Sequence, residues 1–214
     1  MRRVLAGLCL LLSACLCAAQ TGKVETLGPP TATAIPDHAR DILDTTGHRV
    51  VLGDGSIACD LWLRKDVPVQ PKKDAADVLY PELAESTFVG VISFPSPATD
   101  YRGQAIKAGT YALRYELMPE DGNHLGAAPN RDFLLLIPAA ADPDPTATFK
   151  FDELVNLSRK ASLTRHPAPM SLVQPGENAV SKDEEEHWIF STVLKLASGK
   201  DLPFALVVKG TAPQ

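Results

Sequence analysis

Tyr111-Ala112-Leu113-Arg114-Tyr115-Glu116-Leu117-Met118 decides the fold. Tyr111, Leu113, Tyr115 and Leu117 alternate with Ala112, Arg114, Glu116 and Met118. That is the period of a strand with one face on a core and the other toward solvent. A Gly turn, Lys107-Ala108-Gly109-Thr110, leads into it. Downstream, Asp132 to Ile137 is continuously apolar after its first residue, as in a central strand covered on both faces. Upstream, Phe88 to Phe94 is a further apolar run. Val50-Val51-Leu52 and Ser56 to Arg64 flank Gly53-Asp54-Gly55, a hairpin signal that puts Cys59 on the apolar face with Ile57, Leu61 and Leu63. Trp188 to Leu196 and Pro203 to Val208 read as a last strand pair around Ser198-Gly199-Lys200, after the solvated acidic turn Asp183-Glu184-Glu185-Glu186.

Two short helices complete the pattern. Pro36-Asp37 opens the first, with Ala39, Ile42 and Leu43 on one face. The second runs from about Phe151 to Ala161 and turns Phe151, Leu154, Val155 and Ser158 one way. Its acids, Asp152 and Glu153, sit in the first turn and its bases, Arg159 and Lys160, in the last, as the helix dipole prefers. Many short strands without a βαβ alternation predict an all-β fold: an antiparallel β-sandwich, immunoglobulin- or transthyretin-like in general architecture, over residues 36–211.

The N-terminus reads as an export signal. Met1-Arg2-Arg3 is a positive n-region and Val4 to Leu12 an apolar run too short to span a bilayer as a mature helix. Two cleavage sites compete. Leu12-Ser13-Ala14-Cys15 matches a lipobox, which ends the signal at residue 14 and makes Cys15 the lipidated N-terminus. Cys17-Ala18-Ala19 matches an ordinary signal-peptidase site, which ends it at residue 19. Residues 20–35 are rich in Thr, Ala, Gly and Pro and read as a flexible tether. Of the four cysteines only Cys59 lies in the body, so no disulfide framework is available to it.

Composition narrows the function classes. The chain has 214 residues and a formal net charge of −5, which argues against nucleic-acid binding through a global basic field. Hydrophobic residues are 45%, too many for a mostly disordered chain.

The chain carries Tyr101-Arg102-Gly103-Gln104, Ile106-Lys107-Ala108-Gly109-Thr110-Tyr111, Arg114-Tyr115, Pro119-Glu120-Asp121-Gly122-Asn123-His124, Pro129-Asn130-Arg131-Asp132-Phe133 and Arg159-Lys160-Ala161-Ser162 with His166-Pro167. With these segments the chain resembles a family of exported, β-rich bacterial proteins of unknown function. The resemblance implies an envelope or secreted domain. It carries no activity, substrate or catalytic residue to transfer.

Candidate ligand-binding residues fall in two places. The long loop Pro119–Asp132 carries Asp121, Asn123, His124 and Arg131, and long loops on β scaffolds often carry function. The basic patch after the second helix carries Arg159, Arg165 and His166 and suits an anion, although cations are favoured at a helix C-terminus in any case. Asp121 and His124, with His166 as a third ligand, have donor types that hold a divalent metal, while Asp121-Gly122-Asn123 equally suits a plain turn. Asp142, Asp144, Thr146, Thr148 and Glu153 echo a calcium loop, but Ala147 stands where Gly is needed and Pro143 and Pro145 stiffen the run. Trp62, on the face of Asp60 and Arg64, offers a carbohydrate platform. Ser162 with His166 can be drawn as part of a triad, and Cys59 reads as an inert buried thiol. No Gly-x-Ser-x-Gly, Ser-x-x-Lys or His-Glu-x-x-His motif is present.

The sequence therefore points to an exported, non-catalytic β-sandwich without a cofactor, held on a membrane surface if Cys15 is acylated, that binds an envelope ligand or protein. The alternative is a metal-dependent hydrolase built on the loop 119–132 and His166, and a third class is a purely structural envelope component.

Overall fold

The computed structural model describes residues 21–72, 78–119 and 130–212. In chain order the elements are β1 (Lys23–Leu27), α1 (Asp37–Ile42), β2 (Gly47–Val51), β3 (Ile57–Leu63), β4 (Phe88–Phe94), β5 (Ala98–Thr99), β6 (Ala105–Ile106) and β7 (Gly109–Leu117). Then come β8 (Asp132–Pro138), a 3-10 turn (Ala139–Ala141), α2 (Phe151–Ser162), β9 (Pro169–Val173), β10 (Val180–Lys182), β11 (Trp188–Lys195) and β12 (Asp201–Lys209). Ten strands form one antiparallel ladder in the order β1-β2-β3-β4-β7-β8-β9-β12-β11-β10, and β5 and β6 pair separately. The chain is thus all-β with two short helices.

The ladder curls until its two arms share an inner core. Val50, Cys59 and Leu61 from one arm belong to the same buried cluster as Phe190, Leu194, Phe204 and Leu206 from the other. Across it the His48 and Phe190 rings lie 5.6 Å apart. Just before β1, a Cβ on Gly22 would fall 2.4 Å from Cγ1 of Val180 at the start of β10. Glycine is needed there because the two edge strands come together at that point.

The strand quoted at the outset differs from its reading on one face. Tyr111, Leu113 and Tyr115 do point into the inner core. Ala112, Arg114 and Glu116, expected at solvent, are buried too. A second core lies behind β4, β7 and β8, where Phe88, Val91, Ala112, Leu135 and Ile137 meet Ala39 of α1 and Leu154 of α2. The helices turn what would be the wet face of the sheet into an interior, which alternation along one strand cannot reveal.

Arg114 is accommodated there by complete pairing. It is 0% exposed. Nε and Nη2 grip Asp142 at 2.7 Å each, and the other N–H groups donate to the carbonyls of Ser86, Asp144 and Ala147 at 2.9, 2.7 and 2.7 Å. A guanidinium has five N–H donors, and here every one has an acceptor. Phe88 and Phe149 sandwich the group, their ring centroids 5.6 and 5.0 Å from Cζ. The segment that carries α2 over the sheet is anchored by this one side chain.

The expected tether is also different from residue 23 onward. Lys23 to Leu27 pairs with Val51 to Gly47 as edge strand β1. Trp62 Nε1 donates to the Gly28 carbonyl at 2.8 Å, and the Arg40 guanidinium donates to the carbonyls of Pro30, Ala32 and Ile35. Val24 packs on the inner core and Leu27 on the outer one, a short alternation hidden among small and turn-forming residues.

Candidate functional site

Five stretches of the chain surround a cavity of about 130 Å³ at the outer face of the sheet. The end of β7 contributes Met118 and Pro119, and paired strands β8 and β9 contribute Phe133 and Ser171, which stand opposite each other in register. From α2 come Phe151 and Val155, one turn apart on the face that the sequence pattern marks. The turn after β5 supplies Tyr101 and Arg102, and the loop after α2 supplies His166 and Pro167. Two of the motif segments, Tyr101–Gln104 and His166–Pro167, thus meet at one site.

A hydrogen-bond network fixes the wall they form. Asp100, buried, accepts from the main-chain N–H of Arg102 and Gln104 at 2.9 and 2.8 Å and from Gln104 Nε2 at 2.6 Å. Burial pushes its carboxyl above the usual range, and those donors, with the Arg102 charge, pull it back. Gln104 Nε2 also donates to the Pro167 carbonyl at 2.8 Å, and Thr164 Oγ1 donates to Gln104 Oε1. Tyr101 N–H donates to the Pro169 carbonyl at 2.9 Å. A backbone held at this many points keeps this wall in place without a ligand.

The cavity walls are mainly apolar, with one anomaly. Ser171 is 1% exposed, and its Oγ makes no close, well-aligned hydrogen bond, with the Tyr101 phenol as its polar neighbour. It stands alone among the described residues in this respect. Burial, together with the Glu185 and Asp183 charges, raises the Tyr101 phenol above its ordinary range. The Ser171 hydroxyl beside it acts the other way. Tyr101 therefore enters the site as a neutral phenol. The Arg102 guanidinium and the His166 imidazole, both exposed, are among the lining groups, and the Asp183 and Glu185 charges lie near enough to act on Tyr101.

The other residues singled out from sequence divide as follows. Asp121, Asn123 and His124 lie outside the described residues, so the metal set is represented by His166 alone. Among the described residues no group of three His, Cys, Asp or Glu side chains is placed to hold a metal. Arg131 is turned back on its own strand pair and donates to the Met118 carbonyl at 3.0 Å through Nε and Nη2. Arg159 bonds Asn156 Oδ1 at 2.6 Å, within its helix. Arg165 is exposed beside His166.

The remaining motifs are absorbed by structure. Asp142 is the partner of Arg114, Asp144 caps the Thr146 N–H at 2.9 Å, and Glu153 caps the Lys150 N–H at 2.8 Å at the start of α2. The calcium-loop echo is therefore a buried ion pair, a turn and a helix cap. Ser162 Oγ donates to the main-chain carbonyl of His166 at 2.6 Å, not to its ring, so the triad geometry is absent. Trp62 is buried, and its indole packs on Gly47, where a Cβ would fall 2.4 Å from Nε1. It is not a platform. Cys59 is fully buried and its thiol pushed well above the ordinary range by desolvation, which leaves it inert as read.

Ser171 and Asp100 escaped the sequence reading. Met170 and Leu172 face the inner core and put Ser171 on the other side. The short alternation Pro169–Val173 carries that signal, but α2, which buries the serine, is contributed from elsewhere in the chain.

No family model matches this chain, and no curated protein or solved structure is found to be significantly similar to it.

Proposed function

We infer that this chain is an exported, non-catalytic binding protein of the cell envelope. It is held at a membrane surface through an acylated Cys15, and its ligand occupies the cavity between α2 and the sheet. The body is read as a β-sandwich in packing, with the β2–β4 arm facing β11 and β12 across the inner core. The observation that carries the binding role is the cavity itself, about 130 Å³, walled mainly by apolar side chains and framed by the Asp100–Gln104 hydrogen-bond network. Concave, mostly apolar sites with a few fixed polar groups are the usual form of small-molecule sites.

Size and rigidity support the same reading. Engineered apolar cavities of about 150 Å³ admit benzene, so the present volume suits one ring or a short branched chain. The test is ligand-observed NMR with benzyl alcohol against the full chain and Val155→Trp, which fills the cavity. Binding to the wild type that is lost in a folded Val155→Trp protein is expected. Equal behaviour of the two proteins, or no binding to either, overturns the reading. For the anchor, incorporation of labelled palmitate into the full chain that disappears in Cys15→Ala is expected, and unlabelled wild type contradicts it.

A further inference from the structure

We propose that His187 is a proton-operated latch: as an imidazolium it clasps the C-terminal segment 210–212 beside Tyr101, and on losing a proton it releases that segment. This holds whether or not the cavity binds a ligand. The His187 side chain is buried between two acceptors. Nδ1 lies 3.1 Å from Oδ2 of Asp183, and Nε2 lies 2.9 Å from the main-chain carbonyl oxygen of Thr211. The carbonyl can only accept. Asp183 acts as an acceptor throughout, since its Oδ1 takes the main-chain N–H groups of Glu185 and His187 at 3.0 and 2.8 Å. A neutral imidazole has one N–H and answers one acceptor, whereas an imidazolium has two. Both contacts are therefore hydrogen bonds only with a proton on each ring nitrogen.

Loss of one proton acts on one contact selectively. A carboxylate is the stronger acceptor, and Glu185, with Oε2 3.7 Å from Nδ1, adds a second negative charge on that side. The remaining proton stays on Nδ1, and the lone pair on Nε2 then faces the Thr211 carbonyl, a repulsive contact. Thr211 belongs to the segment that supports Tyr101 from outside. Ala212 N–H donates to the Tyr101 carbonyl at 2.8 Å, and the Tyr101 and His187 rings lie 5.5 Å apart. Gly210 fits against the imidazole so closely that a Cβ there would fall 2.4 Å from Cδ2. The titratable groups that face the ring are Asp183, Glu185 and Tyr101. Lys182 and Glu186 of the same turn pair with each other at 2.8 Å. Arg102, next to Tyr101, and Lys209, at the end of β12, are both exposed.

The experiment is NMR on the full chain, titrated upward from about pH 5 until the His187 ring loses a proton. Ring nitrogen shifts report how many protons the imidazole carries. Amide exchange, corrected for intrinsic base catalysis, reports the segment. Imidazolium shifts are expected at the start, and exchange at the Ala212 amide is expected to quicken about tenfold as the ring titrates, the loss of one charge-assisted hydrogen bond. Amides inside β12 are expected to stay protected, which separates local release from loosening of the whole fold. In Glu116→Gln the ring and segment transitions are expected to persist and to coincide. A ring with a single proton at the start, Ala212 exchange unchanged while the ring titrates, or a transition that disappears in Glu116→Gln overturns the proposal.

Discussion

Asp142 meets Arg114 in a two-pronged ion pair, 2.7 Å at each contact, with both side chains at 1% exposure or less. The pair bolts the 142–147 segment, and with it the approach to α2, onto the central strand β7. Breaking a buried pair by removing one partner strands the other charge without water, which costs about 3–5 kcal/mol. Arg114→Met and Asp142→Leu are each expected to lose stability on that scale by denaturant titration. The double substitution is expected to recover more than half of it, since no unpaired charge remains. Additive losses would show that the two side chains act independently.

Asp132 supports the opposite end of the same strand pair. It accepts from the Leu79 and Tyr80 N–H groups at 2.8 and 3.0 Å and from the Tyr115 hydroxyl at 2.7 Å. Tyr115→Phe removes a hydrogen bond to a buried carboxylate, worth about 1.5–3 kcal/mol. Asp132→Ala strands all three donors and is expected to cost more than Tyr115→Phe. Hydrogen exchange at the Leu79 and Tyr80 amides is the direct readout, with exchange quickened in Asp132→Ala.

Glu116 gives the fold a pH dependence. Its carboxyl is buried at 1% exposure and pushed up to about 8, first by desolvation and then by the neighbouring Glu85 charge against the opposing Leu117 N–H. The folded state therefore holds this proton more tightly than the unfolded chain. The contribution is fully present below the ordinary Glu range and is lost as pH rises through about 8. Between pH 5 and pH 8 the melting temperature is expected to fall. In Glu116→Gln, which cannot ionise, that slope is expected to flatten. An identical slope in the variant would assign the pH dependence to other groups.

Leu163 ends α2 in the left-handed region at φ 56° with its side chain 66% exposed. Leucine gains little burial there and is strained by its Cβ, whereas glycine is free of that contact. Leu163→Gly is expected to stabilise the protein by about 1 kcal/mol, or roughly 2–4 °C in Tm for a domain of this size. A lower Tm would mean that the leucine side chain packs productively.

Much of the architecture was legible because period-two alternation is a local property. The runs at Phe88–Phe94, Asp132–Ile137 and Trp188–Leu196 appear, to within one residue, as β4, β8 and β11, and the second helix ends one residue from its expected limit. What local pattern does not carry is the partner across a face. Arg114 and Glu116 read as a wet edge because the elements that cover them are contributed from far along the chain. Ser171 was illegible for the same reason. Of the residues around the cavity, His166 was singled out from the sequence, and Tyr101 and Arg102 lay in a quoted motif. Nothing in either segment said that the Asp100–Gln104 turn would lock them together.

The central claim is that the cavity between α2 and the sheet, with Val155 and Phe133 on its walls, is a binding site. The most direct test is ligand-observed NMR with benzyl alcohol on wild type and on Val155→Trp, with the melting temperature of each recorded alongside. Binding to wild type that vanishes in a folded Val155→Trp protein is the result expected. Equal behaviour of the two proteins, or no binding to either, would contradict the account.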